Sequence, residues 1–132
     1  QGFTPVLTGG PADQEVATAV AAYSRVPLVN LAGGTTVGQL AVLLQGAALA
    51  ITTDTGPMHL AAALGTPVVA LFGPTAPWRT GPFGKGHAPL RLDLPCSPCF
   101  RRTCPEPRCL TDLPPEAVSA VCEKMLSRPA EA

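Results

Sequence analysis

Residues 54–67 read Asp-Thr-Gly-Pro-Met-His-Leu-Ala-Ala-Ala-Leu-Gly-Thr-Pro, and they decide the fold because they join the end of a strand to the start of a helix. The apolar run before them, residues 48–53, has the length of a buried strand. Pro57 suits the first position of a helix, where its fixed φ fits and its missing N–H would have no partner. Gly65, with Pro67 beyond it, ends a helix of about three turns. The stretch therefore predicts a buried strand, a tight turn and a short helix.

Polar groups are concentrated in the turn formed by Asp54, Thr55 and Gly56. Gly56 lets the backbone approach a ligand closely, and either Thr55 or Gly56 can serve as the N-cap. The free N–H groups of the first turn, where His59 also lies, attract anions and above all phosphates. Asp54, which only accepts hydrogen bonds when ionised, suits sugar hydroxyls better than phosphate. A plain capping turn would use the same residue types, and the His59 ring could simply bond a neighbouring carbonyl, so residue types alone leave both interpretations open.

Length and composition favour one globular domain with its own core, since the 132 residues are 46% hydrophobic and 14% charged. Nine basic and nine acidic side chains leave no net charge. Neither a nucleic acid nor an anionic membrane is therefore indicated as a partner, and a small molecule is favoured. The longest apolar stretch, residues 40–51, is shorter than the roughly 18 residues of a membrane-spanning helix, so no transmembrane segment is predicted. The first residues also lack the pattern of a signal peptide.

Strand and helix patterns alternate through the first half of the chain. Strands are predicted at residues 5–8, 27–31, 48–53 and 68–72, with helices over about 12–23, from residue 37 through 44, and over 57–64. Thr35 or Thr36 can cap the second helix. This alternation predicts an α/β fold with a parallel sheet of right-handed βαβ units and flanking helices. Ligands of such sheets bind at the carboxyl ends of the strands, where the turn at Asp54 lies.

The pattern weakens after Gly73 into a loop rich in proline and glycine. A short strand at residues 89–92, a cysteine-rich loop and a final helix from Pro114 or Pro115 to about Ser127 complete the chain. Trp78 and Arg79 in the first loop are interpreted as simple loop packing.

Residues 54–75, in which the opening stretch continues as Val-Val-Ala-Leu-Phe-Gly-Pro-Thr, closely resemble the donor-binding segment of glycosyltransferase family 9, the ADP-heptose:lipopolysaccharide heptosyltransferases. Residues 40–46 resemble the preceding helix of that family, and the cysteine-rich segment 96–110 resembles its cysteine-bearing loop. The resemblance implies a two-domain GT-B fold, of which this chain would be most of the C-terminal domain. That domain is Rossmann-like and binds the nucleotide sugar.

The pattern along the chain predicts how this single domain is organised: a βα core over residues 1–73, a proline- and cysteine-rich loop region over 74–113 and a C-terminal helix over 114–128. Two parts of such an enzyme would lie outside the chain. One is the first strand, loop and helix of the C-terminal domain, and the other is the N-terminal acceptor domain with its general-base aspartate. No catalytic base is therefore assigned.

Four residues of the opening stretch acquire donor-binding roles from the resemblance. Thr55 and Gly56 would hold the donor diphosphate through backbone N–H groups. Asp54 and His59 would contact the heptose and the adjoining phosphate.

Further donor-binding roles come from outside that stretch. Glu15 falls where the family places an acidic residue on the ribose hydroxyls, although an acidic side chain also stabilises a first helical turn by itself. Thr35 falls near the adenine. Gly73, Pro74 and Thr75 would shape the site.

The function implied is that of an inverting heptosyltransferase that transfers heptose from ADP-heptose to a lipopolysaccharide core acceptor, without a metal ion or cofactor. The resemblance implies a cytoplasmic enzyme, with a peripheral position at the inner membrane for the full-length protein, and an isolated chain that transfers nothing. A GT-B-like nucleotide-sugar epimerase and a non-catalytic nucleotide-binding module are the alternatives.

Four of the five cysteines follow the spacing C-x2-C-x4-C-x4-C: Cys96, Cys99, Cys104 and Cys109. Free structural thiols are the first interpretation. A structural zinc site at these four residues is the second, weakened because the last pair is not a C-x2-C and the loop is rich in proline. Disulfides come last, since a nucleotide-sugar enzyme works in the cytosol, where thiols stay reduced.

Overall fold

The computed structural model describes residues 2–129, in which short parallel strands alternate with helices. The strands are β1 (Val6–Leu7), β2 (Val29–Asn30), β3 (Ala50–Thr53), β4 (Val68–Phe72) and β5 (Ala88–Arg91). The helices are α1 (Gln14–Tyr23), α2 (Val37–Gly46), α3 (Gly56–Ala63), α4 (Pro77–Thr80), α5 (Arg108–Thr111) and α6 (Pro115–Leu126). The predicted α/β class, with parallel strands and flanking helices, is confirmed.

The chain divides into two compact units, with the boundary between Leu43 and Leu44. Hydrogen bonds define a β1–β2 sheet in the first unit and a β3–β4–β5 sheet in the second, instead of the one four-stranded sheet expected from the alternation. The strands of the first unit are also shorter than predicted. Pro5 and Pro27, at the starts of those two predicted strands, have no N–H to donate, and pairing is limited to Val6 with Val29 and Leu7 with Asn30.

Helix α1 begins two residues later than predicted, behind a 3₁₀ turn at Pro11–Asp13. The Asp13 carboxylate accepts a 2.9 Å hydrogen bond from the Gly10 N–H. This contact fixes the entry turn, because Asp readily bonds nearby backbone groups and so favours turns over helix interiors.

The core of the second unit lies around β4, the middle strand of its sheet. Val68, Val69, Ala70 and Phe72 are all fully buried, as are Met58 and Ala61 of α3. Burial on both faces explains why β4 reads as a continuous apolar run, which is typical of parallel sheets with covered faces. Strand β5 begins and ends one residue earlier than the predicted 89–92. It pairs in parallel with β4, with Ala88 opposite Val69.

Helix α3 ends at Ala63 with Leu64 as its C-cap, and the predicted terminating glycine, Gly65, follows the cap with φ +79°. The Gly65 N–H donates to Ala62 O at 3.1 Å and the Thr66 N–H donates to Ala61 O at 3.0 Å, the two bonds of a Schellman motif. Glycine suits this position because it adopts a left-handed conformation without steric cost.

The region after β4 contains two short helices that the sequence did not reveal, α4 and α5. Each has four residues, too few to leave a helical period in the apolar pattern. Helix α6 matches its prediction, beginning at Pro115 and reaching its C-cap at Ser127. Among the described helices, none combines the length and apolar character needed to cross a membrane.

Candidate functional site

The site is built on the junction of β3 and α3. Thr55 is the N-cap, with the extended backbone φ −145° and ψ 171°, and Pro57 lies in the first turn. Thr55 was one of the two predicted caps, but its hydroxyl donates backwards to Thr53 O at 3.3 Å. No side chain of the described residues caps the helix, so the first-turn N–H of Gly56 stays available to a ligand.

The junction is open to solvent. Thr55, Gly56 and His59 are exposed and Asp54 is half-buried. A Cβ atom at Gly56 would meet nothing within 4 Å, so the space in front of this backbone is free. The described residues offer the His59 ring no hydrogen-bond partner, so a ring satisfied by a neighbouring carbonyl does not account for it.

Asp54 has a partner that the sequence did not suggest. The Thr80 hydroxyl, at the end of α4, lies 2.7 Å from Asp54 Oδ2 in a half-buried contact. The two residues are 26 positions apart and follow neighbouring parallel strands, β3 and β4. No periodicity or spacing rule links positions so far apart, so only the fold reveals this pair.

The cysteine-rich loop packs against the exit of β4. The Ser97 hydroxyl donates to Gly73 O at 2.7 Å, and the backbone N–H groups of Cys99 and Phe100 both donate to Pro74 O, at 3.1 and 2.8 Å. Gly73 is buried there. The loop thus holds Gly73 and Pro74 in place at the end of the strand.

A cavity of about 390 Å³ opens beside α4, lined among others by Trp78, Arg79, Phe83 and His87. The Trp78 side chain is 70% exposed, and the Arg91 guanidinium lies 5.2 Å from its ring centroid. Trp78 and Arg79 therefore line a cleft instead of only packing the loop.

His87 anchors the rim of that cavity. Its Nδ1 accepts a 3.2 Å bond from the Val68 N–H, so the ring proton lies on Nε2, which faces Phe83 O at 3.1 Å. The segment that carries Phe83 is thereby tied to the start of β4.

Two predicted site residues, Glu15 and Thr35, lie in the first unit. Glu15 is exposed in the first turn of α1, at the position predicted for it. Of the two candidate caps of α2, Thr36 is the one used: its hydroxyl accepts from the Gln39 N–H at 3.1 Å, and Gln39 Oε1 accepts from the Thr36 N–H at 2.9 Å. Thr35 is half-buried and takes no part in this capping box.

The other four predicted site residues lie within residues 54–59 of the second unit: Asp54, Thr55, Gly56 and His59. The ligand contacts assigned to all six residues stay predictions.

All five cysteines are free thiols. Among residues 2–129, no three His, Cys, Asp or Glu side chains are placed together to hold a metal ion, so the arrangement of Cys96, Cys99, Cys104 and Cys109 gives the zinc alternative no support. Burial raises the pKa of the Cys109 thiol, and the neighbouring thiols of the loop add to the increase. Burial also raises the pKa of Cys122.

Comparison with known proteins identifies the protein family of the chain that contains this junction. The sequence profile of glycosyltransferase family 9 (heptosyltransferase) matches residues 1–110. The chain therefore belongs to glycosyltransferase family 9, as its resemblance predicted.

Individual relatives agree with this placement. The chain is 36% identical to lipopolysaccharide heptosyltransferase 1 of Pseudomonas aeruginosa, over 92% of this chain and 38% of that protein. It is 35% identical to lipooligosaccharide heptosyltransferase 2 of Campylobacter jejuni, over 92% of this chain and 40% of that protein. The chain thus spans about two fifths of the length of these relatives.

Solved structures of the family share the fold. The structure of the Escherichia coli ADP-heptose lipopolysaccharide heptosyltransferase II superimposes with a TM-score of 0.80 at 30% identity, over 95% of this chain and 37% of that one. A glycosyltransferase family 9 protein of Veillonella parvula gives a TM-score of 0.81 at 29% identity, with the same coverage.

Proposed function

We propose that this chain is the donor-binding part of an inverting heptosyltransferase that transfers heptose from ADP-heptose to a lipopolysaccharide core acceptor. The observation that carries the proposal is the uncapped start of α3 beside the Asp54 carboxylate, in a chain of glycosyltransferase family 9. One end of the junction suits an anion and the other suits hydroxyl groups, as a diphosphate sugar requires.

The N-terminal turn of α3 would hold the donor diphosphate. The Gly56 N–H and the positive end of the helix dipole favour negative charge in front of Thr55 and Gly56. During transfer the acceptor hydroxyl attacks the anomeric carbon, the bond to the diphosphate breaks, and the leaving ADP gains negative charge. N–H groups already oriented toward that charge stabilise it, so the reaction as proposed needs no metal ion or other cofactor.

The remaining donor contacts follow the same assignment. Asp54 would accept hydrogen bonds from heptose hydroxyls, and His59 would contact the sugar and the adjoining phosphate. Glu15 would bind the ribose hydroxyls and Thr35 would lie near the adenine. The acceptor and the general base would be held by a further, N-terminal domain of a GT-B enzyme. Use of an ADP-sugar donor places the reaction in the cytoplasm, at the inner membrane where a lipid-linked acceptor would be found.

Calorimetric titration tests donor binding on the complete protein encoded by the reading frame. ADP-heptose should bind, and Asp54→Ala or His59→Ala should weaken its binding by at least about tenfold, the scale of one hydrogen bond to a charged group. Absence of heat with any nucleotide, or unchanged binding in both variants, would refute the assignment.

Glycine substitutions supply a matched comparison. A Cβ atom meets nothing within 4 Å at either Gly56 or Gly46, so the fold accepts alanine at both positions. Gly56→Ala should weaken ADP binding because the new methyl occupies the space that the diphosphate would use, whereas Gly46→Ala should leave it unchanged.

A separate experiment distinguishes the proposed transferase from the alternative epimerase. Analysis of the sugar products formed by the complete protein should find heptose attached to the acceptor and no epimerised nucleotide sugar.

A further inference from the structure

We infer that Thr80 is a positioning residue of the donor site: its hydroxyl fixes the Asp54 carboxylate in the orientation that recognises the donor sugar. The inference rests on the proposed function, because it takes Asp54 as a sugar contact. It adds a residue that lies outside residues 54–75, the segment from which the donor contacts of α3 were predicted.

The direction of the hydrogen bond follows from its chemistry. A hydroxyl has one proton to donate, and an ionised carboxylate only accepts. Thr80 Oγ1 lies 2.7 Å from Asp54 Oδ2 and 3.3 Å from Ala76 O, so the shorter, charge-assisted contact takes the proton. The bond engages Oδ2, and Oδ1 keeps both lone pairs for the hydroxyl groups of a ligand.

Helix α4 gives Thr80 a fixed position. The N–H groups of Arg79 and Thr80 both donate to Ala76 O at 3.0 Å, and the Gly81 N–H donates to Pro77 O at 2.9 Å. Ala76 itself is fully buried. The Thr80 hydroxyl is thus presented from an anchored turn and not from a free loop, which is the property required of a group that orients another.

A purely structural role explains the contact less well. Asp54 is half-buried at a solvent-open junction, where water can replace a lost protein hydrogen bond. Without Thr80 the carboxylate would stay hydrated but would sample its other staggered rotamers. Loss of the hydroxyl should therefore affect recognition of the sugar more than folding.

The test measures two ligands on the complete protein. Thr80→Val keeps the side-chain shape and removes the hydroxyl, and it should weaken ADP-heptose binding about three- to tenfold, as expected when a fixed rotamer becomes one of several. Binding of ADP, which has no heptose for Asp54 to contact, should stay unchanged. Thr80→Ser should restore the affinity for ADP-heptose. Thr111→Val, which removes a hydroxyl that faces the backbone of exposed α5, should change neither ligand.

A double-mutant cycle separates this inference from the proposed function. In an Asp54→Ala background, adding Thr80→Val should cause no further loss, since no carboxylate remains to be oriented. Equal weakening of ADP and ADP-heptose by Thr80→Val, or no effect on either, would overturn the positioning role while Asp54→Ala still weakens ADP-heptose binding. If Asp54→Ala itself has no effect, Asp54 is not a sugar contact and the positioning role of Thr80 is overturned, whereas the donor-site proposal is refuted only if His59→Ala has no effect either.

Discussion

The Thr66 hydroxyl donates a 2.6 Å hydrogen bond to the Leu44 carbonyl oxygen, in a buried contact between residues 22 positions apart. Thr66 is only 3% exposed, and it directly follows the glycine that ends α3. The bond therefore ties the end of the site helix to the last turn of α2.

Thr66→Val should lower the free energy of unfolding by about 1–2 kcal/mol, because it buries a methyl group where a hydroxyl made a hydrogen bond. Leu44 O keeps its 3.1 Å bond from the Ala47 N–H, which limits the loss. Urea denaturation measures the change. Thr18→Val is the control, since that hydroxyl also donates to a backbone carbonyl but on an exposed helix. Equal effects of the two substitutions would contradict the importance of burial.

Gly73→Ala should displace α5 and destabilise the protein by about 1–3 kcal/mol, the usual range for overpacking. A Cβ atom at this position would lie 2.6 Å from Leu110 Cγ and 3.0 Å from Cys109 Sγ. Adding Leu110→Ala should recover part of the loss in thermal denaturation, whereas Gly46→Ala, with free space around it, should cost nothing. A Gly73→Ala protein as stable as the parent would show that this packing is loose.

Arg91→Met should shift the fluorescence of Trp78 to longer wavelength. Trp78 is the only tryptophan, and the guanidinium above its ring shields one face from water. Arg91 Nη2 also donates to Ser97 O at 3.0 Å, so stability should fall by about 1–3 kcal/mol.

Arg108→Met supplies the comparison for this substitution. Arg108 forms an exposed ion pair with Asp112, for which a loss of about 0.5 kcal/mol is typical. For Arg91→Met, an unchanged Trp78 emission spectrum would contradict the placement of the Arg91 guanidinium over the Trp78 ring.

The five cysteines should react with iodoacetamide at different rates. Burial raises the pKa of Cys109 and Cys122, so at pH 8 less of each thiol is in the reactive thiolate form. Mass spectrometry should find both labelled more slowly than exposed Cys96, with the difference narrowing as the pH rises. In urea the rates should converge, and a difference that persists there would point to a cause other than the fold.

The sequence predicted those helices and strands whose own residues match their position in the fold, through their burial or their backbone preferences. Strand β4 is apolar throughout because both its faces are covered, and α3 begins near Pro57 and ends before Gly65 because those residues have strong backbone preferences. These signals come from residues that are neighbours in the sequence. The junction at Asp54 was predicted from signals of the same kind.

Features that depend on distant contacts were not predictable. Helix α4 is too short for a periodic pattern, and its hydroxyl meets Asp54 only because β3 and β4 pair in parallel. Division of the strands between two sheets likewise depends on which backbone groups pair.

The choice of Thr36 over Thr35 as the cap of α2 is a local feature that the sequence does encode. Gln39 lies three residues after Thr36, the spacing of a capping box, whereas Gly38 lies three residues after Thr35 and has no side chain to return the bond.

The pairing of Thr53 with Leu71 has a consequence for how the site can be lost. Asp54 leaves β3 immediately after that pair, and Thr80 follows β4 through α4. A slip of one residue between the two strands would move Asp54 by about 3.3 Å along the sheet and turn its side chain to the opposite face. A deletion in β3 would thus separate the Asp54 carboxylate from the Thr80 hydroxyl although both residues were still encoded. Under the proposed function such a copy would lose donor binding, and a search for sequence motifs alone would not detect the loss.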